Sequence, residues 1–163
     1  MDMPGANEAA GLLRDFQFVD PTWDGRAFVP FWGADLDVSI DPDEDGITPR
    51  QLAVLQAILG YPRDLRPEFE RALFAYYQAD VKDSYCSYDE HGRPIPGSGP
   101  PELTESSQVW VLIDEPVVRV PWIFRTASAV EFELCFNCEW DPEHGLGVLY
   151  RDWRPVEFGG WHL

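Results

Sequence analysis

The stretch "ADLDVSIDPDEDGITPRQLAVLQAILG" (34–60) decides the fold of this chain, because it passes from one backbone period to another. Through residue 41 it alternates. Leu36, Val38 and Ile40 fall on one side, while Asp35, Asp37, Ser39 and Asp41 fall on the other. A period of two is the mark of a strand with one buried and one wet face. From residue 49 the period lengthens, and Leu52, Leu55, Ile58 and Leu59 form a helical stripe. Between them, Gly46 supplies a turn, Thr48 an N-cap, Pro49 the first helical position and Gln51 the partner of a capping box. Gly60 and Pro62 end the helix.

The turn invites a second reading. Asp41, Asp43, Asp45 and Gly46 match the first half of an EF-hand calcium loop. The twelfth position, where such a loop places a bidentate Glu, is Leu52, and the element before it is a strand rather than a helix. The acids also suit the positive end of the helix dipole. A strand-to-helix turn is the better account. Calcium at Asp41, Asp43 and Asp45 stays as an alternative.

Outward from this stretch, "FQFVD" (16–20) and "RAFVPFW" (26–32) read as strands around a turn at "PTWDG". Residues 66–81 carry Phe69, Ala72, Leu73, Tyr76 and Tyr77 at helical spacing. Residues 83–101, rich in Pro, Gly and Ser, read as a long loop. A short helix over 102–114, with Trp110 and Ile113 inward, precedes strands at 117–124, 129–140, 145–151 and 155–159. The expected fold is therefore α+β, with a mostly antiparallel sheet and two to three helices packed on one face. The chain has 163 residues, which predicts a flexible segment at 1–14 and a single domain over 15–163. No apolar run approaches the ~20 residues needed to span a bilayer. The N-terminal sequence lacks a signal-peptide pattern, so the expected location is the cytoplasm.

Charge narrows the function classes. The formal net charge is -17, from 29 acids and 12 bases. Residues 1–48 carry 11 acids against 2 Arg, and residues 83–163 carry 14 against 5; residues 49–82 are nearly balanced. Such a chain repels nucleic acid and anionic membranes and attracts a basic protein. The polar faces of the expected strands place Asp35, Asp37, Asp41, Glu131, Glu133 and Glu157 on one sheet surface, the candidate partner-binding face. Arg119 and Arg151 lie on the same side.

Catalytic and metal motifs are sparse. "CFNC" places Cys135 and Cys138 three apart, on opposite sides of a strand, which works against zinc or redox use. No H-E-x-x-H, G-x-S-x-G or phosphate-binding glycine loop occurs. The histidines are His91, His144 and His162. A zinc site from Cys86, Cys135, Cys138 and His144 stays as an alternative, and Asp141, Glu143 and His144 could serve acid–base chemistry or hold a metal. Their setting between Pro142 and Gly145 reads more simply as a turn. No cofactor is expected.

"CEWDPEHGLGVLYRDWRPVEFGG" (138–160) resembles an uncharacterised bacterial domain family with a C-terminal W-D-x-E-H-G-L-x-V hairpin. The residues concerned are Trp140, Asp141, Glu143, His144, Gly145, Leu146 and Val148, with Gly159 at the end. Gly46, Ile47, Thr48, Gln51, Tyr76 and Tyr77 fit the same layout. Members look like the small acidic proteins found beside bacterial polymorphic toxins. The resemblance implies a non-enzymatic immunity protein that occludes a basic toxin. The rival expectations are a metal-binding protein and a small-molecule enzyme at the 141–144 hairpin.

Overall fold

The computed structural model describes residues 4–161. The first three residues of the segment expected to be flexible, and His162, lie outside the described residues. Seven strands form one sheet in sequence order: β1 Gln17–Val19, β2 Thr22–Val29, β3 Ala34–Ile40, β4 Val117–Val120, β5 Glu131–Phe136, β6 Leu146–Arg151 and β7 Arg154–Gly159. Every neighbouring pair is antiparallel except β3 with β4. The helices are α1 Ala6–Leu12, α2 Pro49–Gly60 and α3 Arg66–Tyr76. A π-helical turn, Tyr77–Val81, continues α3, and a 3-10 helix spans Ser106–Leu112. This is the α+β architecture expected.

The single parallel pair follows from where the helices lie. Antiparallel neighbours can be joined by a short turn, but a parallel pair needs a long crossover. The chain between β3 and β4 supplies α2, α3, the π turn and the 3-10 helix. These bury Val54, Leu55, Ile58, Phe69 and Leu73 in one core with Leu36, Val38, Ile40, Val118, Val120, Phe132, Leu134, Phe136 and Val148 from the sheet. Trp32, Phe69, Phe136 and Trp110 form a continuous aromatic group in this core.

Several boundaries differ from the sequence expectation. The expected turn at 21–25 is mostly strand, because the ladder to β3 runs back to Trp23 opposite Ile40. Ser39 Oγ and Thr22 Oγ1 both donate to Asp24 Oδ1 and hold that extension. The turn itself contains only Asp20 and Pro21. β2 stops before Pro30, and Phe31 and Trp32 are buried in the turn that follows. In the short helix before β4, Val109 and Leu112 point inward, whereas Trp110 and Ile113 are half-buried. A 3-10 helix repeats every three residues, so Val109 and Leu112 share its inner side.

The N-terminal capping box of α2 forms as its sequence predicts. Thr48 Oγ1 accepts from Gln51 N at 3.1 Å, and Gln51 Oε1 accepts from Thr48 N at 2.9 Å. Gln51 is also fully buried. Its Nε2 donates to the carbonyls of Asp41 and Pro121, the latter at 3.0 Å. Those carbonyls lie just past the ends of β3 and β4. One side-chain amide therefore caps a helix and clips together the exits of the parallel strands.

Replacing it with an apolar side chain leaves three backbone groups without their partner. Gln51→Leu is expected to destabilise the protein by at least about 3 kcal/mol in urea unfolding, from a cost of ~1–3 kcal/mol per unsatisfied buried group. Thr48→Ala, which removes only the cap, is expected to cost about 1 kcal/mol.

Candidate functional site

The sheet face away from the helices carries most of the acids expected to form a partner-binding surface. The structure divides them. Asp35 and Asp37 are exposed on β3, Asp41 and Glu157 are half-buried, and Glu131 and Glu133 are 1% and 4% exposed. The expectation that Glu131 and Glu133 face solvent beside Asp35 and Asp37 is therefore corrected. Period-two alternation told which way these side chains point, but not that other chain segments cover them.

Each buried carboxylate has a specific role. Glu131 Oε1 accepts from Thr126 N at 2.7 Å and Thr126 Oγ1 at 2.6 Å, and its Oε2 accepts from Arg125 N at 3.4 Å. Arg151 and Arg50 approach it at 3.6 Å and 4.0 Å. Burial alone would raise its pKa, but these hydrogen bonds, chiefly from Thr126, and the nearby Arg151 hold it below the ordinary 4.5. Glu133 accepts from Arg119 Nη1 at 3.2 Å, while Arg119 Nε donates to Asp41 at 2.8 Å. Arg119 thus bridges β3 and β5 from the strand between them. Under the carboxylate of Glu133 lies Gly147, where an added Cβ would come within 2.3 Å of Glu133 Oε1. Cys135 shares this face, and burial raises its pKa, so the thiol is neutral.

Asp37 and Glu157 also have arginine partners. Arg26 donates to Asp37 at 3.0 Å and lies 3.5 Å from Glu115, and its hydrogen bond to Asp37 raises its pKa. Glu157 pairs with Arg125. The calcium alternative finds no support in the 41–45 turn. Asp41 is held by Arg119, and Asp43 Oδ1 accepts from Asp45 N at 2.7 Å within its own turn. Among the described residues, no three His, Cys, Asp or Glu side chains converge as a metal site would require.

A further concentration of acid lies at another end of the molecule, on two segments. Residues 83–115 carry seven acids and one Arg, and residues 137–144 carry three acids and no Arg or Lys. The π turn docks the loop: Tyr77 Oη donates to Pro101 O, and Gln78 Nε2 donates to Leu103 O at 2.8 Å. Burial pushes the Tyr77 pKa up to about 12, so it remains a donor. The 3-10 helix is fixed to α3 by Glu70, which accepts from Trp110 Nε1 at 2.6 Å and Ser106 Oγ at 2.9 Å. Just beyond, Asp114 accepts from Asn137 N at 2.8 Å and Nδ2 at 2.7 Å, and Glu139 N donates to Leu112 O at 3.0 Å.

Between these strands of contact opens a cleft of about 700 Å³, lined by residues 111–114 and 137–139 with Pro142. Cys138 lies in its floor, and burial raises that thiol to about 11. Cys135 is on the opposite side of the sheet, as their spacing in the sequence predicts. In the sequence, the acid count of 83–115 and the hairpin motif beginning at Trp140 both fall at this end.

The 141–144 hairpin borders the same end. Asp141 Oδ1 accepts from His144 N at 3.1 Å, and the His144 ring lies 3.0 Å from it. Burial raises the Asp141 pKa, but the hydrogen bonds from His144 outweigh it and the net shift is downward. Glu143 is exposed, while Trp140 is buried against Tyr77. Gly145 adopts φ +67°, and an added Cβ would lie 2.4 Å from Trp161 Nε1, whose indole donates to Phe136 O at 2.9 Å. Gly145 and Trp140 thus explain themselves as packing, and Asp141 and His144 as the turn's own hydrogen bonds.

A family model described as a domain of unknown function, DUF6985, matches residues 12–163. The chain belongs to the DUF6985 family. The match covers the whole sheet and every helix except nearly all of α1, so the DUF6985 domain and the fold described above coincide. No curated protein and no solved structure matches this DUF6985 chain. None of its described helices is long and apolar enough to cross a membrane.

Two outcomes test this account of the DUF6985 domain. Glu131→Gln is expected to cost about 2 kcal/mol at pH 7, from lost charge-assisted hydrogen bonds. Because the folded pKa is depressed, that contribution is complete above pH 4.5 and is lost as pH falls through the folded value. Wild type and variant should therefore converge in acid unfolding titrations. Gly145→Ala should lower the thermal midpoint by at least several degrees, since the left-handed backbone and the clash with Trp161 act together.

Proposed function

We propose that this domain is a non-enzymatic, acidic interaction protein of the cytoplasm, an immunity-type protein that neutralises a basic toxin by covering its working surface. One observation carries the reading. Ten acids and one Arg lie on residues 83–115 and 137–144, and parts of both segments line one cleft, with Asp114 and Glu139 among its lining residues. Glu115 is paired with Arg26, but the two segments together keep a large excess of acid, and that excess is what a basic partner meets. Field concentration of this kind speeds the approach of an oppositely charged protein and sets its orientation. The fully unpaired state of Cys86, Cys135 and Cys138 suits a reducing compartment.

The acids named from the sequence take a lesser part in this reading. Asp35 remains exposed and Asp37, also exposed, is paired with Arg26, whereas Glu131 and Glu133 act inside the domain as counter-charges. The toxin as partner comes from the family resemblance and the charge. The acid around the cleft supports that reading.

The test is a pull-down from the source organism at low and at high salt, followed by co-expression with whatever basic protein is retained. The expected result is a basic protein held at low salt and released at high salt, whose expression slows growth unless this domain is present. Retention of no basic protein at low salt would sink the reading.

A further inference from the structure

We propose that the cleft beside Val111 is an anchoring pocket that takes an apolar side chain from a basic segment of the protein partner. This deepens the reading above and rests on it. Val111 is 74% exposed, the most exposed large hydrophobic side chain among the described residues. Exposure at that level costs free energy in the unbound protein and is recovered when a partner covers it. It is not on a loose loop. Val111 lies in the last turn of a 3-10 helix that Glu70 ties to α3 through Trp110 and Ser106, and the next residue accepts from Glu139 N. A rigid apolar group needs little ordering when it is covered, which is what an anchor requires.

The surroundings define the occupant. Leu112 and Cys138 form a buried floor, and Asp114 and Glu139 stand at the rim. No lining residue is cationic. A second cleft of about 270 Å³, with Tyr85 and residues 98–101, shares Leu112 and Glu139 with the first. The two clefts are therefore neighbours, with Leu112 and Glu139 common to both. The first favours an apolar residue beside Val111 with Arg or Lys flanking it, opposite Glu139 and Asp114. An acidic segment, a nucleic acid or an anionic lipid would meet the like charge of those two carboxylates.

Synthetic peptides separate the pocket from the general charge effect. The full-length 15N-labelled protein is titrated at low salt with a short Arg/Lys peptide bearing a central Leu, and with the same peptide bearing Ser. The Leu peptide is expected to move the backbone amides of residues 111–114 and 137–139 and to bind about tenfold or more tightly, from the burial of one Leu side chain. Val111→Ser should remove that advantage while leaving the Ser peptide unchanged, and its exposure keeps folding intact. Equal affinities, or shifts centred elsewhere, would overturn the pocket and leave the basic-partner reading standing. Failure of both peptides to bind would overturn the two together.

Discussion

The buried amide of Gln51 is the constraint around which the domain is organised. A mixed sheet has a weak point where its one parallel pair lies, because no tight turn holds those strands in register. Here the carbonyls just past β3 and β4 converge on one side chain, and that side chain also closes the first turn of α2. The crossover helices are thereby fixed to the sheet at the point where they leave it. Everything downstream inherits that position: α3, the π turn, the 3-10 helix and the wall of the acidic cleft.

A second constraint acts on the opposite sheet face. Burying carboxylates costs several kcal/mol each unless cations and hydrogen bonds compensate them. Glu131 and Glu133 meet that condition by different routes. Glu131 draws in the loop before β5 through backbone and hydroxyl donors, and Glu133 shares Arg119 with Asp41. The outcome is register specificity: a one-residue slip of β4 would turn Arg119 to the other face and strand both acids. This explains how a strongly acidic chain can bury negative charge and still fold.

The protein therefore handles its acids in two ways. Those near the sheet centre are spent on internal pairing, while 83–115 and 137–144 keep an excess of acid, with Asp114 and Glu139 at an apolar cleft. Net charge alone does not distinguish these populations. Their separation is what gives the acidic end its character, and the hairpin, with Gly145 and Trp140 packed beneath it, borders that end.

The sequence by itself determined what depends on local period and local chemistry. The strand, turn, capping box and helix over 34–60 were legible because alternation, Gly46, Thr48, Pro49 and Gln51 act within a few residues of one another. The divergence of Cys135 and Cys138 was legible for the same reason. Tertiary structure alone decided which polar side chains stay wet. Glu131 and Asp37 look alike in their strands, yet one is buried and the other exposed, because the loop carrying Thr126 folds over Glu131 while Asp37 stays at the surface. It also decided that Gln51 reaches beyond its own helix, and that residues 85, 111, 114 and 139 border two neighbouring clefts. Burial and convergence depend on contacts between residues far apart in the chain, and such contacts leave no periodic trace in the sequence.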